Sequence, residues 1–231
     1  MEPTAASLDP AVVGHCKNTG NFIIDAFCMG GPAMYIIAIV GVLTVFLIIE
    51  RFMTLRSLTV DKQDFNEHLF GMVLRGDIRQ AITYCDSKAT PLTNTLKVGL
   101  VQVMNHRPDE EVQVAMDAAV LRDTPRIEGW TAFLGVFGNV ATLIGLVGTI
   151  LGMITSFQGV AEAGAAEKAQ KLSIGISEAL HCTAFGLIVA IIAIFGYGYF
   201  QVRIGRLLND VTESSMSLMN LVVANRDKMK E

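Results

Sequence analysis

The sequence predicts an all-α integral membrane protein with three transmembrane helices and long cytoplasmic helical extensions. Of its 231 residues, 52% are hydrophobic and only 17% are charged, and the mean hydropathy is +0.46. The charged residues are bunched between uncharged runs, three of which reach the length of about 20 residues that a helix needs to cross a bilayer. This bunching is typical of membrane proteins, because a charged side chain in hydrocarbon is costly whereas loops carry charge freely.

The three uncharged runs define the predicted spans. The first ends sharply at Glu50 and Arg51. At about 1.5 Å of rise per residue, the second and third runs would form helices longer than the hydrocarbon core is thick, so we expect both to project beyond it. The predicted transmembrane helices cover residues 33–53, 129–161 and 173–203.

The placement of lysine and arginine predicts the orientation of the chain. Lys17 is the only basic residue before the first span, whereas the middle segment and the tail are rich in both residue types. Because cytoplasmic segments carry the excess of positive charge, the middle segment and the tail are expected inside the cell. The predicted order outside the spans is an N-terminal segment outside (1–32), a cytoplasmic helical segment (54–128), a short outer loop (162–172) and a cytoplasmic C-terminal helix (204–231).

The middle segment itself is predicted to be folded and helical. Asp109, which follows Pro108, is placed to cap one of its helices. The apolar positions of that helix recur at helical spacing, at Val112, Ala115, Met116, Ala119 and Val120.

Glu178 is the only formal charge between Lys171 and Arg203. An ionisable side chain within a spanning helix costs about 2.5–3.5 kcal/mol on insertion scales, so it is by default a functional-site hypothesis. The alternative is that Glu178 lies near the outer interface and caps its helix, since N-terminal turns tolerate acids. His181 lies three residues further on, where it either extends a proton relay or is a satisfied packing residue.

Small and hydroxyl-bearing residues share one face of the second and third spans. In the second span they recur at offsets of three and four, at Thr142, Gly145, Thr149, Gly152 and Ser156. The third span has a similar face with Thr183 slightly around the helix, formed by Gly175, Glu178, Cys182, Gly186 and Gly196. Two explanations stay open: the faces line a polar path together, or the small residues permit close helix packing, as in Gly148-x-x-x-Gly152.

Several function classes lack support in the sequence. It has no phosphate-binding Gly-rich loop with Lys-Ser/Thr, no His-Glu-x-x-His and no Gly-x-Ser-x-Gly, so we expect no enzyme activity and no cofactor. The four cysteines, Cys16, Cys28, Cys85 and Cys182, form no Cys-x-x-Cys pair and predict no metal site. Cys16 and Cys28 would pair only in an oxidising compartment, which leaves that disulfide open. The net charge of −4 without a basic stripe argues against nucleic acid.

Two stretches resemble the span signatures of a known family. Residues 139–157 (NVATLIGLVGTILGMITSF) and 175–190 (GISEALHCTAFGLIVA) are similar to the second-span and third-span signatures of the MotA/TolQ/ExbB proton channel family, closest to its ExbB/TolQ branch. Weaker similarities are Glu50-Arg51, Gly76-Asp77, Pro91-Leu92 and Gly99-Leu100. The chain departs from the family pattern at His181-Cys182, where aliphatic or small residues are usual.

The resemblance implies a multi-pass protein of the bacterial inner (cytoplasmic) membrane that assembles as a ring, a homopentamer in contact with membrane lipid. The ring would surround the single span of an ExbD/TolR-like partner that carries a membrane aspartate. By the same match, Glu178, Thr149 and Thr183 are the expected ion-conducting residues, with His181, Cys182, Thr142 and Ser156 as accessory candidates.

The implied function is a proton-conducting stator subunit that couples the proton-motive force to work on an envelope or outer-membrane partner, such as energised transport. A lone carboxylate with hydroxyls favours protons over sodium. The alternatives are a structural scaffold ring and a small-solute transporter. The transporter is the weaker of the two, because three spans without an internal repeat differ from the usual transporter architecture.

Overall fold

A computed structural model describes residues 33–162, 164 and 167–225 of the chain. Every regular element in these ranges is an α-helix, as predicted. In chain order the helices are α1 (Ala33–Leu58), α2 (Lys62–Leu74), α3 (Ile78–Asp86), α4 (Pro91–Met104), α5 (Asp109–Glu128), α6 (Thr131–Glu162) and α7 (Lys168–Asn225).

Three stretches of the described chain are long and apolar enough to cross a membrane, and they contain α1, α6 and α7. Large apolar side chains stay exposed along these helices, among them Val42 and Phe46 on α1 and Phe195 on α7. Outward-facing apolar side chains are expected where hydrocarbon rather than water surrounds a helix. The prediction of three membrane-spanning helices is therefore confirmed by length and composition.

The structure divides into two compact units, which are described separately. The first unit takes the described residues up to Ile48 and those of Phe133–Gly196, and it holds the apolar parts of α1, α6 and α7. The second unit takes Ile49–Ala132 and the described residues from Tyr197 onwards. It contains α2 to α5 together with the C-terminal part of α7. The whole of α7 has 58 residues, so this one helix runs through both units.

A single hydrophobic core holds the second unit together. Leu69, Leu96, Leu100 and Met116 are each fully buried in it. Each helix contributes positions three or four residues apart, and the core residues include Phe65, Leu69, Val73, Ile78, Ala81, Leu92, Leu96, Leu100, Val103, Val112, Met116, Val211, Leu218 and Val222. Because α7 supplies the last three of these residues, the tail belongs to the fold of the middle segment. Of the stripe predicted on α5, Val112 and Met116 belong to this core and Val120 packs against it, whereas Ala115 is only half-buried.

Local capping explains where the short helices begin. Asp61 precedes α2, and its side-chain oxygen accepts hydrogen bonds from the backbone N–H groups of Gln63 (3.1 Å) and Asp64 (3.5 Å). Thr90 and Thr93 form a reciprocal capping box at the start of α4.

The predicted Asp109 cap is wrong by one position. Helix α5 begins at Asp109, and the N-cap is Pro108, which makes no side-chain capping bond. Proline takes this position because its ring holds φ near −65° and its backbone lacks an N–H group. Asp109, Glu110 and Glu111 instead place negative charge in the first turn, where the helix dipole favours it.

The junction between α5 and α6 is a glycine turn closed by a buried arginine. Gly129 has φ +43°, a conformation that side chains disfavour, and its N–H donates to the Pro125 carbonyl at 2.9 Å. The guanidinium of Arg51, which is 4% exposed, occupies the space that a Gly129 side chain would need. Glu50 accepts two hydrogen bonds from this guanidinium, at 2.5 and 2.8 Å. The end of α1 and the α5–α6 turn therefore fix each other.

Three glycine-to-alanine variants separate the two reasons for glycine at this turn, which are its positive φ and the space that Arg51 occupies. Gly129→Ala meets both the positive φ and the Arg51 guanidinium, and we expect it to destabilise the protein by about 1–3 kcal/mol. Gly76→Ala has a positive φ but open space, and should cost roughly 1 kcal/mol. Gly71→Ala lies in a helix with open space and should be neutral or stabilising by about 0.5–1 kcal/mol. Thermal unfolding of the purified protein checks this ranking, and a Gly129→Ala protein that unfolds at the wild-type temperature would contradict it.

Candidate functional site

The first unit is organised around a close crossing of α6 and α7. A methyl group added at Gly186 would lie 2.7 Å from the Ala141 carbonyl oxygen and 3.1 Å from the Gly145 Cα. One added at Gly145 would lie 3.3 Å from the Thr183 Cα. The two backbones therefore touch with no side chain between them, which is the geometry that small residues permit in membrane helices.

The small faces predicted from the sequence meet at this crossing. Gly152 packs against Ala179, Gly148 lies over the Cys182 side chain, and Gly175 lies over Ser156. The opposite face of α6 is exposed, with Leu143, Val147, Ile150, Leu151 and Ile154. The close-packing explanation is thus correct for these glycines. Thr142 lies outside the crossing: it is exposed and its hydroxyl donates to the Gly138 carbonyl of its own helix at 3.1 Å.

Thr149 and Thr183 bring their hydroxyls into direct contact across the crossing. The Thr183 hydroxyl donates to the Gly145 carbonyl at 3.1 Å. The Thr149 hydroxyl lies 3.1 Å from the same carbonyl and 3.4 Å from that of Ala179. Two hydroxyls and two carbonyls thus form an oxygen cluster in an otherwise apolar interface. Hydroxyls both donate and accept, so such a cluster is able to carry a proton or to face a cation.

Glu178 lies on the same helix but faces a different space. It is partly exposed and lines a cavity of about 450 Å³ between α1 and α6, whose wall is apolar apart from Thr155 and Glu178 itself. The rest of the wall is formed by Ala33, Ile36, Val140, Leu143, Ile144, Val147, Gly148, Leu151 and Gly152. Within the described ranges, its carboxylate forms no hydrogen bond and no ion pair.

The capping alternative for Glu178 is wrong. Helix α7 begins at Lys168, so Glu178 follows ten residues later, well beyond the first turn of about 3.6 residues. An acid at this depth gains little from the unpaired N–H groups at the helix start, since that effect fades within the first turn. A structural cap therefore does not explain the carboxylate.

His181 and Cys182 have local roles in the structure. The His181 Nδ1 lies 2.6 Å from the Ser177 carbonyl oxygen, so this nitrogen carries a proton and donates to its own helix. The Ser177 hydroxyl is 3.5 Å away from the same nitrogen. Cys182 is a buried free thiol against Gly148. The hydrogen-bond acceptor of the His181 Nδ1 is thus the Ser177 carbonyl. The contact with Glu178 that the three-residue spacing allowed does not supply it.

The remaining sequence predictions concern metal binding and the cysteines outside this site. In the part of the chain that the structure describes, no group of three or more His, Cys, Asp or Glu side chains comes together to hold a metal. Cys85 is a buried free thiol in the second unit, where burial raises its pKa to about 12 and keeps it protonated. The possible Cys16–Cys28 disulfide lies outside the described residues.

Residues 87–213 match the sequence profile of the MotA/TolQ/ExbB proton channel family. The match covers more than half of the chain and includes all of α6 as well as Thr149, Thr183 and Glu178. The chain belongs to the MotA/TolQ/ExbB proton channel family. This family consists of channel proteins and not of enzymes, and its members are multi-pass membrane proteins.

Individual relatives place the similarity in the TolQ and ExbB branches. The chain is 38% identical to the Tol-Pal system protein TolQ of Pseudomonas aeruginosa over 94 residues, which is 41% of this chain and 40% of that protein. It is 31% identical to the biopolymer transport protein ExbB of Pseudomonas putida over 118 residues, which is 51% of this chain and 36% of that protein. TolQ of Haemophilus influenzae is 34% identical over 96 residues, 42% of each chain. The aligned region therefore spans less than half the length of these relatives.

A double-mutant cycle at Thr149 and Thr183 tests the oxygen cluster. Valine at either position removes one hydroxyl while keeping a branched side chain. Interhelical hydrogen bonds in membranes contribute about 0.6 kcal/mol on average, so we expect a coupling energy of that order between the two substitutions. Unfolding of the wild type, both single variants and the double variant in mixed detergent micelles measures it. Strictly additive effects would mean that the hydroxyls do not meet in the membrane.

Proposed function

We propose that this chain is the proton-channel and stator subunit of an ExbB/TolQ-like motor, which couples the proton-motive force to mechanical work on an envelope or outer-membrane partner. The observation that carries the proposal is the position of Glu178. It is the only formal charge between Lys171 and Arg203 on a long apolar helix, and no described residue pairs with it. A carboxylate that a bilayer-length helix keeps at such cost is best explained by the proton it exchanges.

The proposed path combines Glu178 with the oxygen cluster. Ala179, whose carbonyl accepts from Thr149, is the next residue after Glu178 on α7. Glu178 would take up and release the proton, and Thr149 and Thr183 would line the path, since their hydroxyls are able to donate and accept in turn. Of the accessory candidates, Ser156 and Cys182 support the helix crossing, Thr142 lies on the exposed side, and His181 remains bonded to its own helix.

The proposed assembly follows the family resemblance, and the proposed topology follows the placement of lysine and arginine along the chain. A homopentamer in the bacterial inner membrane would surround the span of an ExbD/TolR-like partner carrying an aspartate. The predicted boundaries serve as the proposed topology, with the N-terminus periplasmic and residues 54–128 and 204–231 cytoplasmic. The exposed apolar faces of α6 and α7 support contacts with lipid or with further helices. Energised transport is the proposed process, because one of the relatives is named a biopolymer transport protein.

A structural scaffold ring is the rival from a different class. In that case Glu178 would fix the partner helix through a hydrogen bond rather than exchange a proton. Glutamine keeps the size and most of the hydrogen-bonding capacity of glutamate but does not titrate. Glu178→Gln therefore separates the two functions.

Proton flux into vesicles tests the proposal. The complex, purified with its own partner, is reconstituted with an entrapped pH-sensitive dye, and a potassium diffusion potential drives the protons. Loss of a positioned proton-transfer group costs roughly a hundredfold or more, so we expect Glu178→Gln and Glu178→Ala to reduce the flux by about that factor. Glu178→Asp should retain part of it.

Glu110→Gln is the matched control, because Glu110 is an exposed acid in the first turn of α5 and should leave the flux unchanged. Equal assembly of all variants is verified by size-exclusion chromatography. Wild-type flux in Glu178→Gln would refute the proton-relay role and favour the scaffold.

A further inference from the structure

The second unit contains a cavity that the proton path does not use. It measures about 510 Å³ and lies between the end of α1 and the middle of α7. Three arginines line it, Arg56, Arg203 and Arg206, together with aromatic side chains that include Phe52 and Phe200. We refer to this feature as the arginine pocket.

The charge of the arginine pocket is not neutralised within one chain. None of the three arginines forms an ion pair with any of the described residues. Asp210 also lines the pocket, and its carboxylate lies 3.2 Å from the Lys62 Nζ, an ammonium that it shares with Glu213 at 2.5 Å. One such carboxylate faces three guanidinium groups. The pocket is therefore a concentration of positive charge that lacks its anion.

One of these arginines is held in place. The Arg203 Nε donates to the Tyr199 hydroxyl at 3.2 Å, and its guanidinium carbon lies 5.7 Å from the centre of the same ring. The ring and the hydrogen bond leave the other guanidinium N–H groups free to bind an anion. A planar guanidinium binds phosphate oxygens with two parallel hydrogen bonds, which makes it well suited to a phosphate ester.

The position of the pocket along the chain indicates which anion it meets. On α1 the uncharged run ends at Glu50 and Arg51, and the pocket begins at Phe52. On α7 the first basic residue after the third uncharged run is Arg203. Both walls therefore change from apolar to basic at the level where a bilayer changes from hydrocarbon to headgroups. Phe52 is half exposed there, so apolar surface adjoins the cations.

We propose that the arginine pocket binds an anionic phospholipid, with the phosphate on the arginines and the acyl chains along the Phe52 side. A free phosphate would use the cations but not the apolar wall. The lipid satisfies both, and the anionic headgroups of the cytoplasmic leaflet supply the charge that this side of the protein lacks. The inference depends on membrane insertion and on the proposed topology but not on proton conduction, so the lipid site and the proton relay can each fail without the other.

Binding of short-chain lipids to the delipidated complex tests this site. The probes are dioctanoyl phosphatidylglycerol, dioctanoyl phosphatidylcholine and inorganic phosphate, and native mass spectrometry gives the affinities. We expect the wild type to prefer phosphatidylglycerol over both other probes. Arg203→Gln with Arg206→Gln should weaken that binding roughly 25-fold, about fivefold for each guanidinium. Arg56→Gln alone should weaken it about fivefold.

Two controls distinguish charge in the pocket from charge in general and from misfolding. Arg75→Gln with Arg79→Gln removes the same charge from exposed positions on the α2–α3 side and should leave the affinity unchanged. Arg203→Lys with Arg206→Lys keeps the charge but loses the planar two-bond geometry, so its affinity should lie between that of the wild type and that of the double glutamine variant.

Three results would overturn the proposal. The first is unchanged phosphatidylglycerol binding in the double glutamine variant. The second is equal binding of phosphatidylcholine or inorganic phosphate, which would leave a nonspecific apolar groove or a simple phosphate site. The third is a double glutamine variant whose complex has a different number of chains but an unchanged lipid affinity, which would assign the pocket to contact with a second copy.

Discussion

The close approach of α6 and α7 is the constraint on which the first unit depends. Gly145 and Gly186 let the two backbones touch: a side chain at Gly186 would collide with the Ala141 carbonyl oxygen, and one at Gly145 would press on the Thr183 backbone. In a bilayer the hydrophobic effect does not drive helices together, so packing and interhelical hydrogen bonds must hold them. The Thr149–Thr183 contact adds a polar bond to this packing. The same glycines that hold the helices together thereby bring the hydroxyls into one oxygen cluster.

The crossing also separates the carboxylate from the hydroxyls. Because Ala179 and Cys182 fill the crossing, the neighbouring Glu178 is turned away from it, toward the apolar cavity beside α1. Within one chain the carboxylate therefore has an apolar environment and the hydroxyls are bonded to each other. A continuous path needs a further component, which in the proposed motor is the aspartate-bearing span of the partner.

Much of this architecture could be predicted from the sequence, because it depends on local patterns. Uncharged runs determine the spans, and offsets of three and four determine which glycines share a face. Two details that depend on local hydrogen bonding and backbone geometry were missed, and so was one feature that depends on long-range contacts. The Ser177 carbonyl, and not Glu178, is the hydrogen-bond acceptor of His181. The one-residue error at Asp109 arose because Pro108, with its fixed φ and no backbone N–H, takes the N-cap position. The arginine pocket unites residues almost 150 positions apart, although the basic residues at the ends of two uncharged runs were visible signals.

Native mass spectrometry of the complex, extracted gently from its own membrane without overexpression, tests the motor assignment most directly. Its mass gives both the number of copies of this chain and the identity of whatever the ring encloses. We expect a pentamer of this chain together with a small single-span protein that carries an aspartate in its span. Another copy number with no such protein would contradict the motor mechanism and leave Glu178 as a structural or transport residue.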